Sequence, residues 1–257
     1  RLENHAPGQM LALIASATKA RAVHSIAKLK RWETSMISVE DAITGRQSIR
    51  AYLDKPVSRE LIMQVLEVAS RAPSGSNIQP WKVWIVTGAV KQALSTELLE
   101  RHMSGEVGER NYNYYPVNWR DPYIGRRRAC GWGLYSTLGI EKGDKDQMLR
   151  QHGRNYEFFG APVGLFFSLD RDMELGSWLD TGMFIQSVML AARGFGLETC
   201  PQAAFCNYHE IVCSRVGIPD DQELVCGLSL GFPDPDAVVN TFRTERLTPE
   251  EFTTFVD

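Results

Sequence analysis

The chain has 257 residues, 23% of them charged and 44% hydrophobic, with a formal net charge of -3. This is ordinary globular usage with enough length to bury a full core in one domain, and it gives no overall case for nucleic acid or an acidic surface as the main partner. No apolar run approaches the roughly 18 residues of a membrane-spanning helix, so the sequence reads as soluble and without a membrane partner. The five cysteines are odd in number and contain no CxxC, which fits reduced thiols in a cytoplasmic setting better than a disulfide framework. None of the five histidines has metal-ligand spacing to another His or to Cys, so no metal site is expected.

Residues 1–35 differ from the rest. Six Lys/Arg stand against Glu3 and Glu33, most of them within the Ala-rich stretch Leu11 to Trp32. A cleavable targeting segment and an added N-terminal helix docked on a neighbour both fit such a basic amphipathic stretch. The docked helix is the expectation, with a second unit, 36–257, opening at Met36. That unit starts with Ser38-Val39-Glu40-Asp41, a capping-box-like signal for a short helix through Thr44. Gly45 stops it, and Arg46-Gln47-Ser48-Ile49-Arg50 follows in extended form. Alternate side chains of an extended segment share a face, so Arg46, Ser48 and Arg50 point together and suit a phosphate; arginines that merely cap the preceding helix are the competing reading.

An apolar stripe of Leu61, Ile62, Val65, Leu66, Val68 and Ala69 predicts a helix over Val57 to Arg71, ended by Pro73. The small, polar Ala72 to Pro80 loop leads into a strand over Trp81 to Thr87 and then a helix over about Val90 to His102. Residues 103–160 are the least regular, with helical patterns at Trp132 to Leu138 and Asp144 to Phe159. Their start interleaves Tyr112, Tyr114, Tyr115, Trp119 and Tyr123 with Arg120, Arg126, Arg127 and Arg128. Stacking on a single-stranded nucleic acid is one formal use of that pattern, but a lid or dimer arm is favoured, and no nucleic-acid partner is expected. Pro162 to Leu169 reads as a strand buried on both faces. Trp178 to Arg193 is a helix apolar nearly all round, fitting either an obligate dimer seam or the core of one subunit. A Cys200 to Phe205 segment, a helix over about Tyr208 to Val216 and a strand over Glu223 to Phe232 complete an α+β (mixed α/β) pattern with helices flanking a central sheet.

Four segments, in this order, resemble the nitroreductase family of flavoproteins: Gly45 to Arg50, Ala72 to Trp81, Leu197 to Phe205, and Asn240-Thr241-Phe242-Arg243-Thr244-Glu245-Arg246-Leu247. The resemblance covers residues 36–257. It implies a mostly antiparallel sheet flanked by helices, an intertwined homodimer, and FMN bound in a groove built from both subunits. By that resemblance Arg46, Gln47, Ser48 and Arg50 hold the phosphate and ribityl chain, with Arg243 and Arg246 completing the phosphate site. Pro73, Ser74 and Asn77 reach the isoalloxazine from the other subunit. The Pro201-Gln202-Ala203-Ala204 turn brings backbone N–H groups toward flavin N5, with Ala203 standing where some relatives carry an acid. Gln79 and Trp81 are expected to fix the loop and fill the core, and Cys200 to be no redox thiol.

The implied activity is NAD(P)H-dependent reduction of a small electron acceptor, a nitroaromatic or quinone, by ping-pong hydride transfer through FMN. No side chain is assigned as a catalytic acid or nucleophile, and residues 103–160 are expected to shape the acceptor channel. A different chemistry on the same fold (dehydrogenase, dehalogenase or flavin-consuming) and a non-catalytic flavin-binding protein are the alternatives.

Overall fold

The computed structural model describes residues 37–257. The expected helix over 1–35 lies outside the described residues. Ser38 and Ser58 each satisfy a free amide at a helix start: Ser38 Oγ accepts from Asp41 N at 3.0 Å, opening α1 (Val39–Gly45), and Ser58 Oγ accepts from Leu61 N at 3.2 Å, opening α2 (Arg59–Ala69). The remaining elements are β1 (Lys82–Val86), α3 (Gly88–Met103), α4 (Tyr123–Thr137), α5 (Lys145–Gly153), β2 (Val163–Asp170), α6 (Leu175–Gly194), β3 (Glu198–Gln202), α7 (His209–Val216), β4 (Gln222–Gly231) and α8 (Pro249–Phe252). The strands form one sheet of order β1-β2-β4-β3 with every pairing antiparallel.

Alternation along β2 sorts the core into two layers. Leu165, Phe167 and Leu169 face one side, where Ile62, Val65, Phe184 and Val188 of α2 and α6 cover them. Phe166 faces the other, against Phe158, Phe205, Leu94 and Leu98. Gly227 of β4 is small for a reason: a Cβ there would lie 2.4 Å from the Phe205 ring. Trp81 stacks flat on Phe184, with centroids 4.5 Å apart, so it fills the core as expected. Helix α6 is buried on its sheet-facing side, while Leu175 and Leu179 stand exposed. Among the described residues no helix is long and apolar enough to cross a membrane.

Three expectations change. Helix α4 begins at Tyr123, well before Trp132, so the irregular stretch ends at Pro122; none of its residues is buried, and it therefore has no apolar stripe to announce it. Helix α5 stops at Gly153 rather than continuing to Phe159. Tyr156, Phe158 and Phe159 are all buried, and the chain turns through positive φ at Phe158 and Phe159 to seat them. Pro201 and Gln202 belong to strand β3 instead of a turn, with the 3-10 helix starting at Ala203. A proline is tolerated there because β3 is the last strand of the sheet.

Candidate functional site

The Arg46 to Arg50 segment lies along the open edge of β3, where Ile49 N donates to Thr199 O at 3.1 Å and the Ile49 side chain is buried. Asn240 holds the same segment from the other side. Its Oδ1 accepts from Arg50 N, and its Nδ2 donates to Ala51 O and Asp234 O, all at 2.9 Å. Its carbonyl accepts from Gln47 Nε2 at 2.8 Å. Asn240 opens the fourth segment of the resemblance with no role of its own there; its place just ahead of Phe242-Arg243 is the signal, since an amide both donates and accepts. Thus pinned, Arg46, Gln47, Ser48 and Arg50 line one wall of a cavity of about 720 Å³. Arg243 and Arg246 come from the tail, with Cys130, Met189, Pro201 and Phe242 on the remaining walls.

The cavity is cationic. Burial, and then the nearby Arg246, depress the Arg46 pKa, with Glu198 opposing. Burial raises the Glu198 pKa against the pull of Arg193, Arg46 and Arg243. Glu198 makes its ion contact with Arg193 at 3.0 Å, yet Arg193 Nε and Glu198 Oε2 complete no aligned hydrogen bond, so this is a charge contact. Arg193 Nη1 also donates to Asp41 O and Ala42 O, each at 3.2 Å, fastening the end of α1 just ahead of Arg46. A Cβ at Gly45 would sit 2.4 Å from Arg193 Nη1, so an added side chain there would push the guanidinium aside. Four arginines with one shared carboxylate call for an anion, and planar guanidinium forks suit phosphate oxygens. Gln47 Oε1 is buried with no hydrogen-bond partner among the described residues, an acceptor left for a ligand hydroxyl. The donor set therefore fits a phosphorylated, polyhydroxylated group such as FMN.

The other expected residues divide. Pro201 is exposed and lines the cavity. The Gln202 side chain is turned into the core, where it donates to Asn155 O at 2.7 Å and accepts from Ser229 Oγ at 2.5 Å, and the residue does not line the cavity. Ala203 and Ala204 open the next helical turn without lining the cavity, and Ala204 O accepts from Tyr156 OH at 3.4 Å. Pro73, Ser74 and Asn77 do not meet the arginine cavity of their own chain. Their loop is tied to α6 by Gly75 N donating to Asp180 Oδ2 at 3.0 Å, and Gln79 fixes it by donating to Ser74 Oγ and Asn77 O, each at 3.0 Å. Cys200 is buried, and burial pushes its thiol pKa up, away from thiolate chemistry. Tyr112 is structural: its hydroxyl donates to Val225 O at 2.5 Å and its ring meets Trp178 edge-on.

Sheet, flanking helices and cavity define an α+β protein with an arginine-lined cavity at the edge of its sheet. Residues 43–232 match the nitroreductase family. A 4-nitrobenzoate reductase from Nocardioides sp. is 40% identical over 224 residues, covering 86% of this chain and 91% of the relative. A chloronitrobenzene nitroreductase from Comamonas testosteroni is 37% identical over 219 residues, 85% of this chain and 96% of that one. Among solved structures, the FMN and NADPH-dependent nitroreductase NfnB from sphigopyxis sp. strain HMH superposes with a TM-score of 0.83 at 38% identity, covering 86% of this chain and 100% of that one. The FMN-dependent NfnB from Mycobacterium smegmatis, solved with NADPH, gives 0.80 at 32% identity, covering 85% and 97%. The chain belongs to the nitroreductase family.

Proposed function

We propose that the protein is an FMN-dependent oxidoreductase that uses a nicotinamide dinucleotide to reduce nitroaromatic acceptors. The observation that carries this is the arginine-lined cavity at the β3 edge, in a chain whose relatives are nitroarene reductases over nearly their whole length. Bound there, FMN supplies reversible two-electron hydride chemistry, which the side chains alone cannot. Arg46, Ser48, Arg243 and Arg246 would hold its phosphate, and Gln47 would take a ribityl hydroxyl. Arg50, whose Nη1 donates to Ser48 O at 3.1 Å, would supply a fixed positive charge to the ring. Pro201, on the cavity wall, and the backbone of Gln202, Ala203 and Ala204, which follow it just outside that wall, would serve the ring, where small side chains permit close approach. Cys130 of α4, with Leu134 and Tyr135 around a smaller chamber next to Arg50 and Pro201, makes the 103–160 region a wall of the acceptor channel.

The assembly is a homodimer in which Pro73, Ser74 and Asn77 of a second copy close each flavin groove. Two features support it: that loop is ordered by its own hydrogen bonds away from its own cavity, and apolar Leu179, Phe252, Phe255 and Val256 stand exposed. A cytoplasmic setting is supported by five free cysteines. Purified protein is expected to be yellow, to bleach anaerobically with NADPH, and to recover colour on adding 4-nitrobenzoate. Colourless protein that takes up no FMN removes the enzyme reading. Mixing Arg50→Ala with Asn77→Ala subunits should restore one flavin site per dimer; heterodimers that never bind FMN refute the shared groove.

A further inference from the structure

The irregular stretch before α4 and the first turns of α4 carry a surface that the flavin site does not use. Arg127 lies over two rings, 4.8 Å from Trp119 and 5.4 Å from Tyr115. Arg120 and Arg126 flank Tyr123 at 4.9 and 5.9 Å. Tyr115 and Trp119 are themselves in contact, with centroids 5.4 Å apart. Among the described residues none of these three arginines is in an ion pair, and Tyr115 and Tyr123 are exposed. Residues 110–128 hold five arginines against Asp121, in a chain whose net charge is -3. The rings pre-order the guanidiniums while leaving their donors unspent. Such a surface fits a flat base carrying a phosphate.

Its place in the fold narrows the ligand. Arg126 and Arg127 stand four and three residues before Cys130 on α4, and Cys130 lines the flavin cavity. Residues at that spacing share a helix face, and at about 1.5 Å of rise per residue the separation along the axis is only about 5 to 6 Å. The patch therefore adjoins the site to which a nicotinamide must come. Resting on the function proposed above, we infer that the Arg120, Arg126 and Arg127 surface with Tyr115, Trp119 and Tyr123 is the subsite for the adenosine end of the reductant. The arginines take its 2′-phosphate, which makes the protein selective for NADPH over NADH. A nucleic acid shares the base-plus-phosphate chemistry, but needs a longer cationic track to gain affinity over many phosphates, and the chain is acidic as a whole.

The test uses the FMN-loaded protein and two readouts. Calorimetric titration should show adenosine 2′,5′-bisphosphate binding at least about tenfold tighter than 5′-AMP, and Arg127→Gln should erase most of that difference. Anaerobic stopped-flow reduction should show the NADPH/NADH ratio of second-order rate constants falling about tenfold in Arg127→Gln, a change of about 1.4 kcal/mol, and further in Arg126→Gln/Arg127→Gln. Arg127→Lys, which keeps the charge but loses the fork, should fall between. Reoxidation of dithionite-reduced Arg127→Gln by 4-nitrobenzoate should match the parent, which reports flavin content and folding. Equal binding of bisphosphate and 5′-AMP, or a ratio within twofold of the parent in the double variant, overturns the subsite. So does tight binding of a single-stranded oligonucleotide that Arg127→Gln abolishes while the ratio stays fixed. Failure of nitroarene to reoxidise the dithionite-reduced parent sinks the proposed activity, and the bisphosphate titration still judges the subsite.

Discussion

Replacing Asn240 by Ala removes three hydrogen bonds at once, from Arg50 N and to Ala51 O and Asp234 O, each at 2.9 Å. A net contribution of about 1 kcal/mol per bond gives a loss of about 3 kcal/mol, held near that value because the half-buried site lets water meet part of the vacated demand. For a domain of this size that is a fall of roughly 6 to 12 °C in Tm. The bonds fasten the segment carrying Arg46, Ser48 and Arg50, so FMN affinity should fall along with stability. Urea unfolding should be measured on the apoprotein, since bound FMN adds its own mass-action stabilisation, and FMN affinity by quenching of flavin fluorescence. Asn240→Asp tests the bond count. It keeps the acceptor for Arg50 N but sets a carboxylate oxygen against two carbonyls, so it should recover little of the loss. An Asn240→Ala protein within about 0.5 kcal/mol of the parent, with unchanged FMN affinity, refutes the reasoning, since that is the scatter of a neutral surface change.

Two further outcomes follow from the same neighbourhood. Gly45→Ala forces the Arg193 guanidinium from its contacts with Asp41 O, Ala42 O and Glu198. About 1 kcal/mol of better helix propensity offsets only part of that, so denaturation should show a net loss of about 1 to 2 kcal/mol, with weaker FMN binding. His152 is pushed below its ordinary value of 6.5 by burial, then by His102 and Arg110. A depressed folded-state pKa means that the stability is present above 6.5 and lost as pH falls, because the unfolded chain takes the proton first. His152→Asn should accordingly flatten the decline in stability on acidification below pH 6.5, read by urea titrations across pH; an unchanged slope refutes it.

Much of the architecture was legible because the signals were local. Ser38 and Ser58 cap their helices by bonds three residues away, and the continuous apolar runs of β2 and β4 fit strands covered on both faces. Helix α4 was half missed because it buries none of its residues, and Gln202 looked available until its amide was found bonded to Asn155 and Ser229. Neither fact has a local signature.

By itself the sequence determined most element types, because periodicity and capping act over a few residues, and the family, through four segments that keep their order. That Arg243 and Arg246 belong with Arg46, some 200 positions away, was implied only by the resemblance; the tertiary structure brings the three to one cavity and alone shows Asn240 clasping the two segments. In that structure Pro73, Ser74 and Asn77 stand outside their own chain's cavity. Such placements are set by how the β3 edge and α6 pack, and long-range packing leaves no periodic trace along the chain.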